Sequence, residues 1–124
     1  MKRENSVKKW FEKGLEDLKV ARYNFKGKNY NVAAFFIQQA LEKCLKSVEI
    51  KKFERFSKTH DLTFLGKKVG LPKSLIKKCM KISRAYVVTR YPDVEEVYSK
   101  KEIEEFFKIA KEVIRWIKKE LRKN

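Results

Sequence analysis

Apolar side chains in this chain return every three or four positions, almost from one end to the other. That period is the repeat of one face of an α-helix and not the alternation of a strand. From about Ser6 to Lys26 the stripe is Val7, Trp10, Phe11, Leu15, Leu18, Ala21 (or Arg22) and Phe25. Ser6 is the expected N-cap, since its hydroxyl can accept a free backbone N–H of the first turn. Gly27 is the expected stop, with Asn29 in a short connection. From about Asn31 to Lys52, Ala33, Phe36, Ile37, Ala40, Leu41, Cys44, Leu45 and Val48 form a wider apolar face, as a helix central to a bundle requires. The short connection makes these two helices antiparallel neighbours.

The period fails from Phe53 to Thr59, which reads as a loop. A short helix follows over about Asp61 to Val69, with Leu62, Leu65 and Val69 on one side and Gly70 as its stop. Pro72 opens the next helix, where a missing N–H costs nothing. Leu75, Ile76, Cys79, Ile82, Ser83 and Tyr86 carry that helix to about Val88, before Arg90-Tyr91-Pro92-Asp93. Tyr91 precedes a proline, which turns it away from the helical region. The last helix opens with Ser99 and Glu102 in capping-box spacing. Ile103, Phe106, Phe107, Ala110, Val113, Ile114, Ile117 and Leu121 form its stripe, and acidic residues at its start and basic ones at its end complement the helix dipole. Four glycines and two prolines are too few for a hairpin-rich β fold. The expected architecture is all-α, an antiparallel up-and-down bundle of four main helices plus one short one, in a single domain over residues 1–124.

Composition narrows the function classes. With 32 basic and 16 acidic residues the net charge is +16. Such a surface attracts polyanions in a salt-dependent way; it is equally the solvated surface of a self-repelling soluble protein. The Lys, Glu and Ile bias fits a thermophilic source. Cys44 and Cys79 both fall on apolar helix positions, which points to buried reduced thiols. With one histidine and no Cys-x-x-Cys, no zinc site or other metal is expected. No apolar stretch follows Met1-Lys2-Arg3, so no signal peptide is expected. The longest purely apolar run, Val32 to Ile37, cannot span a bilayer. A cytoplasmic protein without membrane contact is the expectation. No glycine-rich phosphate loop and no paired-metal carboxylate cluster stand in the sequence, and no cofactor is expected.

Three segments carry a resemblance. Ala34-Phe35-Phe36-Ile37-Gln38-Gln39-Ala40-Leu41-Glu42-Lys43-Cys44-Leu45-Lys46 resembles the second helix of HEPN domains. His60-Asp61-Leu62 with Leu65 resembles the family's His-Asp-Leu turn, and Tyr86 through Arg90-Tyr91-Pro92-Asp93 its Tyr-x-x-x-Arg-Tyr-Pro segment. Order and spacing agree over nearly the whole chain. The resemblance implies a helical bundle that forms dimers. It also implies one of three roles. Many members pair with a small nucleotidyltransferase in toxin–antitoxin fashion, and some are metal-independent ribonucleases with an Arg-x(4–6)-His motif. Others bind nucleotides or proteins without catalysis.

Arg55-Phe56-Ser57-Lys58-Thr59-His60 fits Arg-x4-His. In that reading His60 handles a proton as general acid or base, imidazoles titrating near neutrality, and Arg55 stabilises charge on phosphate. Five residues of ideal helix would set the two side chains roughly 140° apart, so they converge only across an irregular backbone. Phe56 stands where active members carry a polar residue, and the ribonuclease motif belongs to a later part of the bundle. The alternative has His60 capping the short helix or bonding a neighbouring loop.

Tyr86, Arg90, Tyr91 and Asp93 form a second candidate. Arginine recognises phosphate bidentately and tyrosine offers a stacking surface, which suits a nucleotide or single-stranded RNA. The alternative is a structural turn, with Arg90 paired to Asp93 or Glu95. Gln38, Gln39, Glu42, Lys43 and Lys46 form a third, with Glu42 and Lys46 in favourable i,i+4 spacing. Gln39 and Glu42 are expected beside a cleft facing the turn at Arg90; the alternative is an ordinary polar helix face. Phe25, Tyr30 and Tyr98 are expected among exposed aromatics available to an interface. The leading expectation is a homodimeric module binding nucleotide or RNA, working with a nucleotidyltransferase partner. A ribonuclease toxin using Arg55 and His60, and a non-catalytic interaction scaffold, are the competing readings.

Overall fold

A computed structural model describes residues 2–94 and 96–124. Five helices and no strands form among them: α1 Lys2–Lys26, α2 Tyr30–Phe53, α3 Leu62–Val69, α4 Lys73–Val88 and α5 Lys100–Arg122. The all-helical bundle of four long helices and one short one is as the periodicity requires.

The ends show local chemistry at work. α1 begins at Lys2, so Ser6 lies inside the helix and is not its cap. The Lys-Arg-Glu run before it consists of strong helix formers with no breaker, and Arg3 pairs with Glu54 across the bundle at 3.1 Å. α1 stops at Gly27 as expected, but the left-handed residue of the turn is Lys28, at φ 63°. Asp61 caps α3: its carboxylate accepts the Thr63 backbone N–H at 2.9 Å and the Thr63 hydroxyl at 2.7 Å. Gly70 ends α3 at φ 86°, where a side chain would be strained. The α5 capping box is complete, with Ser99 and Glu102 each accepting the other's backbone N–H at 3.1 Å.

α2 packs against each of the other helices, and this explains its burial on every side. Lys51 at its C-terminal end donates to the Glu120 and Leu121 carbonyls at 2.8 and 3.0 Å, satisfying the open end of α5. Asn31 at its other end donates to the Glu96 carbonyl at 3.0 Å and accepts from the Tyr98 N–H at 2.9 Å. α2 and α5 therefore run in the same direction, and the long helices alternate in direction along the chain. α1 flanks α5 on one side, where Phe25 meets Phe107, and α4 on the other, where Lys78 meets Glu112.

Ile37, Leu41, Leu45, Leu62, Leu65, Ile82, Ile103, Phe106 and Ile117 fill the core. Each such side chain contributes about 1.5–3 kcal/mol by leaving water. α1 reaches α2 closely at Gly14, where a Cβ would stand 2.5 Å from the Cys44 sulfur and 2.9 Å from the Ala40 carbonyl oxygen. Cys44 and Cys79 are free and buried, and burial pushes both thiols up to about 12. Tyr98 is only 4% exposed and stacks edge-on to Phe106, while Phe25 and Tyr30 pack partly buried against the core. The expectation that these three stand exposed is corrected: Phe25 packs on Tyr30 and Phe107, and Tyr98 on Phe106, so each is covered by another aromatic. Tyr23, Phe53, Phe56, Phe64 and Tyr91 are the exposed aromatics instead.

Candidate functional site

Helix α2 carries Gln38, Glu42, Lys46 and Glu49 along one strip, and all four are buried. Buried charge is tolerated only when paired and hydrogen-bonded. Glu42 meets that condition with three partners. Lys46 Nζ lies 3.0 Å from Oε2, while Gln38 Nε2 and His60 Nδ1 lie 3.1 and 2.9 Å from Oε1. The Lys46 ammonium also faces the rings of Trp10 and Phe56 at 5.7 and 5.5 Å. It is thus enclosed as the counter-charge of Glu42. Glu49 accepts the backbone N–H and hydroxyl of Ser57 at 2.8 and 2.6 Å, holding down the loop before His60.

His60 is pinned at two points. Gln38 Nε2 donates to its carbonyl oxygen at 2.9 Å, and its ring meets Glu42. A carboxylate oxygen only accepts, so Nδ1 carries the hydrogen, and Nε2 has no hydrogen-bond partner among the described residues. The imidazole, about half exposed, stacks on Tyr86 with centroids 3.8 Å apart and planes 17° from parallel. The Arg90 guanidinium lies 4.7 Å from the centre of the Tyr86 ring. The result is a ladder, Lys46–Glu42–His60–Tyr86–Arg90, from the interior of α2 to the surface at the end of α4.

Beside the ladder, His60, Asp61, Thr63, Met80, Ser83, Arg84, Tyr86 and Val87 line an open cleft of about 360 Å³. Its lining is mostly apolar, with a few polar groups at the start of α3. The Ser83 hydroxyl accepts the Leu62 N–H at 2.9 Å and lies 3.4 Å from Asp61. Partial burial raises the Asp61 carboxyl, but hydrogen bonds from Thr63, Phe64 and Ser83 outweigh it and hold the group below the usual range. Arg84 pairs with Glu96 at 2.9 Å on the rim. Arg84 and Ser83 were not expected here. Their signal was present: Met80, Ser83, Arg84 and Val87 share one stripe of α4.

The expected residues divide accordingly. Glu42, Lys46, His60, Tyr86 and Arg90 come together. Gln39 and Lys43 turn toward α1, where Lys43 Nζ meets Asp17 at 2.5 Å and Gln39 bonds both Lys43 and Gln38. Glu42 faces His60 rather than the turn after α4. Arg55 stands exposed on the irregular segment between α2 and α3, with no ion pair among the described residues. Asp61, not His60, caps α3. Tyr91 and Asp93 are exposed after α4, and Arg90 stacks on Tyr86 without an ion pair to Asp93. The Glu95 alternative lies outside the described residues. Among the described residues no group of His, Cys, Asp and Glu is arranged to hold a metal ion, and no helix is long and apolar enough to cross a membrane.

A bundle whose second helix buries a charged strip against a His-Asp-Leu turn defines a class of helical domain. The HEPN domain profile matches residues 7–121, and the chain belongs to the HEPN family. TT1696 from Thermus thermophilus shares the fold at a TM-score of 0.84 and 24% identity, over 94% of this chain and 98% of that one. An archaeal HEPN homologue does so at 0.78 and 24% identity, again over 94% and 98%. At that identity the likeness speaks for the fold. No curated protein matches the sequence.

Proposed function

We propose that this chain is a binding module whose cleft at α3 and α4 takes a nucleotide or an RNA phosphate. In this reading it acts as a homodimer with a small nucleotidyltransferase partner and is not an independent enzyme. The observation that carries the reading is the Arg90–Tyr86–His60 stack over buried Glu42. Arg90 supplies a fork for phosphate, and the half-exposed His60 ring, backed by Tyr86, supplies a flat surface for a base. Glu42, Lys46 and Gln38 hold His60 in one orientation, Lys43 ties that part of α2 to Asp17 of α1, and Gln39 braces Lys43 and Gln38. Tyr91 and Asp93 stand exposed just after Arg90. Family membership supports the dimer and the partner, which many members have, and the net charge of +16 favours anionic ligands.

A ribonuclease reading draws on the same geometry, since Glu42 leaves His60 Nε2 free as a base and the backbone from Glu54 to His60 is not helical. One experiment separates them. Purified protein is titrated with a fluorescent nucleoside triphosphate and a short RNA, then incubated with RNA in chelator. We expect binding that weakens at least tenfold in Arg90→Ala and Tyr86→Ala, with no cleavage. Metal-free cleavage that disappears in His60→Ala would establish the ribonuclease instead. Absence of binding even at low salt would leave an interaction scaffold.

A further inference from the structure

A second groove, between α1 and α5, shares no residue with the cleft at His60. Leu15, Leu18, Lys19 and Arg22 form its α1 wall, and Lys111, Ile114, Arg115 and Lys118 its α5 wall. Both sets follow the spacing i, i+3, i+4, i+7, so each is one straight stripe of a helix. Leu18 and Ile114 are buried and make an apolar floor, with Leu15 half-buried beside them. All five charged residues are cations, and all five are exposed. Among the described residues none of the five pairs with a carboxylate. Arg22 is steadied over the Phe107 ring at 6.0 Å, one turn beyond Lys111.

The opposite flank of α5 is the internal control. Its groove toward α4 also holds cations, namely Lys78, Lys81, Lys101 and Lys108, but interleaves them with Glu102, Glu104 and Glu105. Lys81 pairs with Glu102 at 2.8 Å there, and Lys78 with Glu112 at 3.3 Å. Two cationic rows facing each other without counter-charges repel, and a polyanion laid between them relieves the repulsion. The α5 row from Lys111 to Lys118 is about 10 Å long, enough for successive phosphates of one strand. A groove of about 390 Å³ between the two rows has room for the sugar–phosphate backbone of a single strand, over the half-buried Leu15.

We propose that the α1–α5 groove binds the phosphate backbone of a single-stranded polynucleotide. The proposal does not depend on what the cleft at His60 binds. The test is fluorescence anisotropy on the full chain with labelled oligo(U) and oligo(dT), over a series of salt concentrations. Three proteins are compared: wild type, the α5-wall variant Lys111→Gln/Arg115→Gln/Lys118→Gln, and a control, Lys78→Gln/Lys101→Gln/Lys108→Gln, that loses the same charge elsewhere. Each released contact on a single strand contributes about 0.7 to the slope of log affinity against log salt, so the wall variant should flatten it by about 2. Affinity at low salt should fall at least tenfold in the wall variant and less than threefold in the control. A second variant, Lys19→Gln/Arg22→Gln, tests the facing wall and should act in the same direction. Stronger binding of oligo(U) or of oligo(dT) would identify which strand is the better source of the phosphates. Equal losses in wall variant and control would mean diffuse attraction to net charge and would overturn the proposal. So would unchanged oligonucleotide binding alongside lost binding of poly-glutamate, which would make the groove a site for an acidic protein. Loss of nucleotide binding in Arg90→Ala with the oligonucleotide slope intact would bear on the cleft alone.

Discussion

The α2 strip and the α1–α5 groove handle charge in opposite ways. Around Glu42 the opposite charges of Glu42 and Lys46 are buried together, and Lys46, Gln38 and His60 surround one carboxylate. In the groove the cations stand in water, with no carboxylate partner among the described residues. The first arrangement is costly to assemble and leaves no freedom, so it fixes the position of one imidazole. The second costs little in water and is unsatisfied by design of its spacing, so it can respond to a ligand. Fixed charge positions; free charge attracts.

The largest expected effect tests the first half of that contrast. Lys46→Met leaves the Glu42 carboxylate buried without its counter-charge, and such losses cost about 3–5 kcal/mol. Arg115→Ala in the groove should change stability by no more than about 0.5 kcal/mol. Denaturant titration of the two variants reads the difference directly. Replacing both members, Glu42→Leu with Lys46→Met, should recover part of the single variant's loss, because no buried charge is then left alone. A double variant less stable than Lys46→Met would mean that the contact of Glu42 with His60, rather than charge balance, dominates.

How much of this was legible in the sequence follows the same division. Helix positions came from apolar spacing, which acts within a few residues, and the capping box at Ser99 and the stop at Gly70 are local chemistry too. The start of α1 was misplaced because Ser6 is a competent cap that a longer run of helix formers overrode. The Glu42–Lys46 pair was legible because both lie on one helix. Its junction with His60, 18 positions away, depends on how the loop after α2 folds back, and no local rule encodes that. Tyr98 looked like a surface aromatic because no local period marks it; its backbone is tied to Asn31, 67 positions away, and its ring lies against Phe106. The α1–α5 groove is a pure tertiary product: two unremarkable stripes become a site only when packed side by side.

A middle-sized effect falls between the two regions, at the cap of α3. Asp61 is held below the usual carboxylate range by its hydrogen bonds, against the raising effect of burial. A carboxyl whose folded value is lowered contributes stability above its unfolded value, and the contribution is lost as pH falls through the folded one. Asp61→Ala should therefore cost about 1 kcal/mol at neutral pH. The gap between variant and wild type should close as the pH drops below the ordinary aspartate range near 3.8. Urea melts at pH 7 and at acid pH measure both numbers. A gap independent of pH would mean that the Asp61 side chain acts by shape and not as an ionised cap.

The smallest effect sharpens the contrast from the other side. Repulsion across the groove is exposed to solvent and screened over about 8–10 Å at moderate salt. Adding salt should therefore stabilise the wild type by a few tenths of a kcal/mol, as net positive charge opposes the compact state. The wall variant, with three fewer cations there, should gain less from the same salt. The Glu42 pair, enclosed by Trp10 and Phe56, is shielded from the ions and should contribute nothing to that dependence. Thermal melts across a salt series on wild type and wall variant give the comparison. An identical salt response in the two would show that the five cations are too far apart, or too well solvated, to feel one another. Each cation of the groove would then attract a phosphate singly, with no added gain from relieving repulsion between the two rows.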